Sequence, residues 1–579
     1  MTDITDVINQ ISQRIIKSAY RDSKGAAWHT LHATPKGGYE YMITNTFYSG
    51  TSGIVFFLLQ SLRLGKGTDI ENLIISGADH IFSQLGTAEQ SPAFLTGYLG
   101  EMYVLSQIDS EFNEKQYKEK IISMIDRVKE DASMSGLNEY ISGKAGILVG
   151  LLAIYDTYRD DRILEAIDII LAKLLQGMYV TDKGVYWDRS GKNIRGLCGF
   201  SHGASGVAFT LLELGRYFYN PALCSLAEEA FEYEDQWYSE EEMNWADWRK
   251  GVWDGRTEEE YAKAYERNDL AFFTKPKYMS AWCHGAPGIG LARIRAYDVL
   301  KKERYREDAL KALRRIEKDD PAGYRSYALC HGGAGNAETF IYMYQVTQDE
   351  QYLHYPQVVA QEISKRLERK ELLQSGIAQA TVGDTSLFMG TAGIGYFLLR
   401  LMDPFHTPSI LCPIISSPGI QIDSNYPALS ISSERLEEMK EEKRKIYTHP
   451  FVHRIEKGLV SDAYTSYDQT RMYRTAQKQA ALGEQDFSEL KLTWGEYATY
   501  EERDGAHILI KYTPEQVVHL EVSEFCARVM KHFKHITSVH SVVQALCTEY
   551  KAEGEKEKEY VAHQAREQIK QLMLYGALE

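Results

Sequence analysis

Residues 282–288 read WCHGAPG, and residues 329–335 read LCHGGAG. Each sets a cysteine and a histidine directly before a Gly-x-x-Gly pair, 47 residues apart. A motif that returns at a fixed offset marks a repeat architecture. Between Ser49 and Leu399 the glycine pair, followed by an apolar run, occurs seven times. In order these are SGTSGIVFFLL, TGYLGEMYVL, SGKAGILVGLL, HGASGVAFTLL, HGAPGIGLARI, HGGAGNAETFI and MGTAGIGYFLL. The first glycines are Gly50, Gly97, Gly143, Gly203, Gly285, Gly332 and Gly390, at intervals of 47, 46, 60, 82, 47 and 58 residues.

Each apolar run has helical length and composition. Glycines at a helix start permit close backbone approach and unusual dihedrals. The shortest interval leaves room for a second helix, such as the amphipathic EKQYKEKIISMIDRVKE at 114–130. The unit is therefore a hairpin with one inner apolar helix and one outer amphipathic helix. Seven such units form an open solenoid or a closed α/α toroid, with the glycine-rich helix starts converging at one end. The longest interval holds a Trp-rich, charged insertion, SEEEMNWADWRKGVWDGRTEEEYAKAYERND, which reads as a lid or a long surface loop.

In equivalent repeats, the two residues before the first glycine share a slot. Around the chain they are Tyr48-Ser49, Leu95-Thr96, Ile141-Ser142, Ser201-His202, Cys283-His284, Cys330-His331 and Phe388-Met389. Two thiols in neighbouring units at one slot are brought together without being close in sequence. Cys283, Cys330 and an adjacent histidine supply three zinc ligands, and three protein ligands with a vacancy describe a catalytic zinc site. His284 and His331 are equal candidates for the third. The competing reading is that both cysteines are small buried apolar residues. His202, one repeat earlier and without a cysteine, is a candidate general acid/base; otherwise it caps a helix start.

The chain has 579 residues, 44% hydrophobic and 25% charged, as in soluble globular proteins. A net charge of −16 argues against a nucleic-acid or anionic-membrane partner. MTDITDVINQISQR lacks the basic and apolar regions of a signal peptide, and no apolar run is long enough to span a bilayer. A cytoplasmic location is expected. Seven cysteines without a secretory signal do not make a disulfide framework.

GFSHGASG, AWCHGAPGIG, LCHGGAGN and MGTAGIGYFLLRL resemble the signature blocks of the lanthionine synthetase cyclases, the LanC-like family. EDQWYSEEEMNWADWR is similar to the cyclase half of the bifunctional class II synthetases. The resemblance covers residues 40–412 and implies an α/α toroid that binds Zn²⁺ through Cys283, Cys330 and His331. It implies His202 as the catalytic histidine. The family's third repeat usually begins Asp-x-x-x-Gly, with that aspartate implicated in catalysis; here EYISGKAG puts Glu139 in its place. A carboxylate one methylene further out either orients His202 or is a surface acid at a helix start. His284 is expected to assist the substrate enolate or to complete the surroundings of the site.

The implied activity is addition of a peptide cysteine thiol to dehydroalanine or dehydrobutyrine, forming thioether rings in a dehydrated precursor peptide. The chain begins only about one hairpin before Gly50, so a separate dehydratase partner is expected. The alternatives are a thiol (glutathione) transferase and a non-catalytic zinc scaffold. Three domains are expected: the zinc cyclase at 1–412, a Pro/Ser-rich linker with a charged helix at 413–448, and a small α+β domain at 449–579. In the last, LKLTWGEYATYEERDGAHILIKY reads as a hairpin turning at ERDG, followed by three helices. It weakly resembles the PqqD-like winged-helix modules, which take up a leader peptide as an added strand. A structural or dimerisation role is the equal alternative. Cys526 and Cys547 fit helix cores rather than a metal site.

Overall fold

In the computed structural model every Gly-x-x-Gly pair opens a helix, and the reason is steric. A Cβ on the second glycine of each pair would fall 1.8–2.3 Å from the carbonyl oxygen six residues earlier. The loop folds back over the first helical turn so tightly that no side chain fits between them. The structure describes residues 4–34, 38–64, 68–87, 90–187, 196–247, 277–377, 381–447, 484–495, 498–503, 505–512, 517–574 and 576–579. These fall into two compact units, the first ending at Glu441 and the second beyond it.

The seven inner helices of the first unit are α2 (Thr51–Ser61), α4 (Tyr98–Glu111), α7 (Lys144–Tyr158), α9 (Ala204–Tyr217), α11 (Ala286–Leu300), α13 (Gly333–Thr347) and α15 (Thr391–Met402). Each packs on the next, and α15 packs on α2, so the ring is closed. These helices are buried nearly all round, as their uniformly apolar runs require. Outer helices α3 (Thr68–Gln84), α8 (Asp161–Gln176), α10 (Pro221–Asp235), α12 (Glu303–Ile316) and α14 (His354–Glu368) back α2, α7, α9, α11 and α13. The short α5 (Lys118–Ser123) and α6 (Ile125–Met134) follow α4. The first unit is an α/α toroid. The seventh inner helix gains its outer partner from the other end of the chain, since α1 (Ile4–Lys17) packs on α15.

Backbone hydrogen bonds lace the helix starts together, and they run through the shared slot. Tyr48 N donates to Leu95 O, Ile141 N to Ser201 O, Ser201 N to Cys283 O, and Cys283 N to Cys330 O. Cys330 N then donates to Phe388 O and Phe388 N to Tyr48 O, all at 2.8–3.3 Å. Between the second and third units the hydroxyls of Thr96 and Ser142 lie 2.9 Å apart.

Residues 413–432 are not the linker expected from their composition. Ile415, Leu429 and Ile431 are buried in the core of the first unit. Their backbone is held by outer helix α8 and the N-cap of outer helix α10: Asp168 accepts from Ala428 N and Leu429 N, and Asn220 donates to Leu429 O and Ile431 O. The charged helix α16 (Ser433–Tyr447) is not purely solvated either. It buries Leu436 and Lys440, and Lys440 pairs with Glu229. From Trp248 on, the Trp-rich insertion lies outside the described residues, as does the start of the expected third domain up to residue 483.

The second unit has an antiparallel three-stranded sheet, Ala498–Arg503, Ala506–Tyr512 and Val517–Val522. Arg503 faces Ala506 across the expected hairpin turn. Helices α18 (Glu524–Lys531), α19 (Val539–Glu549) and α20 (Glu555–Leu574) follow, preceded by the short α17 (Glu484–Glu489). Cys526 lies in the core of this unit and Cys547 against it.

Candidate metal centre and active site

The slot that carries the backbone ring also delivers the chemistry. Cys283, Cys330 and His331 place one ligand atom each within 4.8 Å of one another, and both cysteines are buried. His331 Nε2 hydrogen-bonds Gly376 O. A carbonyl only accepts, so Nε2 carries the proton and Nδ1 is left to face the sulfurs. Arg325 holds that carbonyl's loop by donating to Ser375 O and Ile377 O. The donor set, two sulfurs and one imidazole nitrogen, suits a thiophilic metal ion, zinc among them.

His202 stands on the loop one unit earlier. Its Nδ1 lies 2.9 Å from Glu139 Oε2. Glu139 is 1% exposed and not a surface acid. Its Oε2 accepts from Ile141 N at 2.7 Å and Oε1 from Ser142 N at 2.8 Å. One carboxylate therefore closes the turn before α7 and fixes the His202 ring. With Nδ1 donating to Glu139, Nε2 is the nitrogen available for proton exchange. His284 is buried; its Nε2 lies 3.3 Å from Ser201 Oγ, and its ring centroid is 5.4 Å from that of His202. The six residues singled out by sequence thus make two adjoining groups, Cys283–Cys330–His331 and Glu139–His202, with His284 beside His202.

Several supporting residues were not singled out. The residue three before each first glycine is fully buried: Phe47, Phe94, Tyr140, Phe200, Trp282, Leu329 and Leu387. Tyr140 packs on Phe200, Phe200 on Trp282 and Trp282 on Phe388, with centroids 4.9–5.7 Å apart, so an aromatic floor underlies the helix starts. Trp282 Nε1 donates to Leu411 O at 2.9 Å, which anchors that floor to the segment after α15. The same seven-fold alignment that revealed the cysteines carries this signal. Glu234 of α10 accepts from Gly199 N and Ser205 Oγ and pairs with the buried Arg293, pinning the His202 loop from behind. Burial pushes the Glu234 carboxyl up, and Arg293 offsets only part of that rise.

The fifth unit has its own device. In six units the first helical N–H bonds a carbonyl seven residues earlier, whereas Ala286 N bonds Asn244 Oδ1 at 2.9 Å. Asn244 also donates to Met279 O. Gly285 takes φ +95° there, which only glycine adopts without strain. The root of the insertion therefore holds the Cys283 loop in place.

Among the described residues no helix is long and apolar enough to cross a membrane. Residues 41–412 match the family described as Lanthionine synthetase C-like protein. Glutathione S-transferase LANCL1 of Danio rerio is 24% identical over 372 residues, covering 62% of this chain and 82% of that protein. The Lacticin 481/lactococcin biosynthesis protein LcnDR2 of Lactococcus lactis subsp. lactis is 22% identical over 352 residues, 58% of this chain and 34% of its own length. Among solved structures, nisin cyclase superposes with a TM-score of 0.47 at 16% identity, covering 70% of this chain and 94% of its own. The matched family region spans well over half of the sequence and contains every site residue named above, and the chain belongs to the lanthionine synthetase C-like family.

Proposed function

We propose that the chain is a zinc-dependent lanthionine cyclase that closes thioether rings in dehydrated peptides. The observation that carries the proposal is the Cys283–Cys330–His331 donor set beside the His202–Glu139 pair. Two thiolates and a neutral imidazole balance the charge of Zn²⁺ and would leave one position for a substrate sulfur. Zinc, when bound, lowers the pKa of a substrate thiol so that the thiolate forms at neutral pH.

The new bond joins that sulfur to the β-carbon of a dehydroamino acid. The π pair moves toward the carbonyl, and the resulting enolate needs a proton at its α-carbon. His202 supplies it from Nε2, while Glu139 accepts from Nδ1 and stabilises the imidazolium before the transfer. The thiol loses one proton and the α-carbon gains one, so cyclisation conserves mass. His284, between Ser201 and His202, orients the enolate side of the pocket. A dehydratase acting beforehand supplies the dehydrated peptide.

The Danio rerio relative's name favours a second reading, addition of glutathione to the same acceptor. The bond is identical and the products differ. Purified protein is incubated with a dehydrated, cysteine-containing peptide, zinc and glutathione. Cyclisation removes the peptide's reaction with a thiol alkylating agent at unchanged mass; transfer adds the mass of glutathione and leaves the peptide thiol reactive. If neither product exceeds the protein-free control, the chain is a scaffold and the proposal is wrong.

A further inference from the structure

Tyr48 occupies the slot that holds Cys283 and Cys330, two positions before the first glycine of its unit. The backbone ring carries it to the metal ligands. Cys330 N donates to Phe388 O and Phe388 N donates to Tyr48 O, each at 3.0 Å. The Tyr48 ring stacks on Phe388 with centroids 4.7 Å apart and planes inclined by 15°. Two independent restraints thus aim the phenol. Its hydroxyl lies 3.2 Å from Met389 Sδ and also hydrogen-bonds Cys330.

A phenol has one proton to donate, and here it faces two sulfur acceptors. Met389 offers a neutral thioether, a weak acceptor. Cys330 as a thiolate is ionised, and a hydrogen bond to an ionised acceptor is about twice as strong as a neutral one. Cys330 is therefore the stronger of the two acceptors when it binds a metal as a thiolate.

We propose that Tyr48 is a positioning residue of the metal centre, donating its phenolic hydrogen to Cys330 Sγ when metal is bound. The proposal rests on Cys283, Cys330 and His331 being the metal ligands. The hydrogen bond draws charge from Cys330 Sγ and fixes its direction. Partners of this kind behind a ligand are worth about 10-fold or more in metal affinity.

The test uses Co²⁺ as a coloured replacement for zinc in the full chain. Affinity is measured by competition with a chelator, and the thiolate-to-cobalt charge-transfer band is recorded. Tyr48→Phe is expected to weaken binding about 10-fold and move the band to longer wavelength, because the uncovered sulfur is more electron-rich. 3-Fluorotyrosine at position 48 keeps the shape and donates more strongly, so it moves the band to shorter wavelength. Met389→Leu leaves affinity and band unchanged. A wild-type affinity and band in Tyr48→Phe overturns the proposal, as does a Met389→Leu shift equal to that of Tyr48→Phe. Should Tyr48→Phe fail to fold, an unmoved band in the fluorotyrosine protein overturns it instead. Wild-type protein with no thiolate-to-cobalt band removes the ligand reading itself, and the Tyr48 role with it.

Discussion

Cys283-His284 and Cys330-His331 hold the same position in neighbouring hairpins, and their histidines end in different company. His284 Nε2 meets Ser201 Oγ, whereas His331 hydrogen-bonds Cys283. Yet the two side chains obey one rule. Each histidine looks back one unit, onto the slot residue of the preceding hairpin. His202 also reaches back one unit, but past the slot: its partner Glu139 stands two positions before Ile141. The fold therefore treats the cassettes alike, and the previous unit decides the outcome. A histidine that looks back on a thiol becomes a ligand candidate, and one that looks back on a hydroxyl or a carboxylate does not.

The largest test of this difference is metal content. Wild-type protein is expected to carry about one zinc per chain, the count for a single three-ligand site. Cys283→Ala, Cys330→Ala and His331→Ala should each lose it on dialysis against a mild chelator. His284→Ala should keep it. Elemental analysis decides, and equal retention in the two histidine variants breaks the comparison.

Much of this was legible in the chain. The glycine pairs recur because a Cβ there would meet backbone, so the seven helix starts follow from sterics; the repeat left an open solenoid or a closed ring, and the packing of α15 on α2 closes it. Slot alignment then placed Cys283 beside Cys330. The direction in which a histidine looks was not legible, because it depends on the hand of the ring and not on spacing. From residues alone His284 and His331 were equal, and only family resemblance separated them. The Pro/Ser composition of 413–432 misled for a different reason. Its backbone is captured by Asp168 and Asn220, polar residues of an outer helix and a helix cap far away in sequence. The pairing of α1 with α15 is equally non-local.

The next effects concern the histidine that looks back on a carboxylate. His202→Ala should lower the cyclisation rate about 10²–10⁴-fold with zinc retained, the range for a lost general acid. Single-turnover rates and zinc content together check this; unchanged rates would remove His202 from the chemistry. Glu139→Asp should cost less, roughly 10-fold, because a shorter arm misplaces the ring without removing the charge. Glu139→Ala is a poorer probe. It also takes the acceptor from Ser142 N and one of two acceptors from Ile141 N, which keeps Ser201 O, at about 1–3 kcal/mol for a donor left unpaired.

The finest test moves the site. If the preceding slot decides a histidine's role, then Ser201→Cys gives His284 the thiol that His331 now has. In a His331→Ala background, Cys283, His284 and the new thiol at position 201 would form the same donor set one unit back, on a backbone bond, Ser201 N to Cys283 O at 3.1 Å, that matches the one joining Cys283 to Cys330. Cobalt binding by the double variant should recover about 10-fold over His331→Ala alone, short of wild type because Gly376 O orients the ring of His331 and not that of His284. Recovery restores thiolate-to-cobalt absorption without restoring cyclisation, since the metal would then sit where His284 now meets Ser201. A double variant no better than His331→Ala would mean that the slot aligns the backbones alone, and that side chains in this ring are set locally.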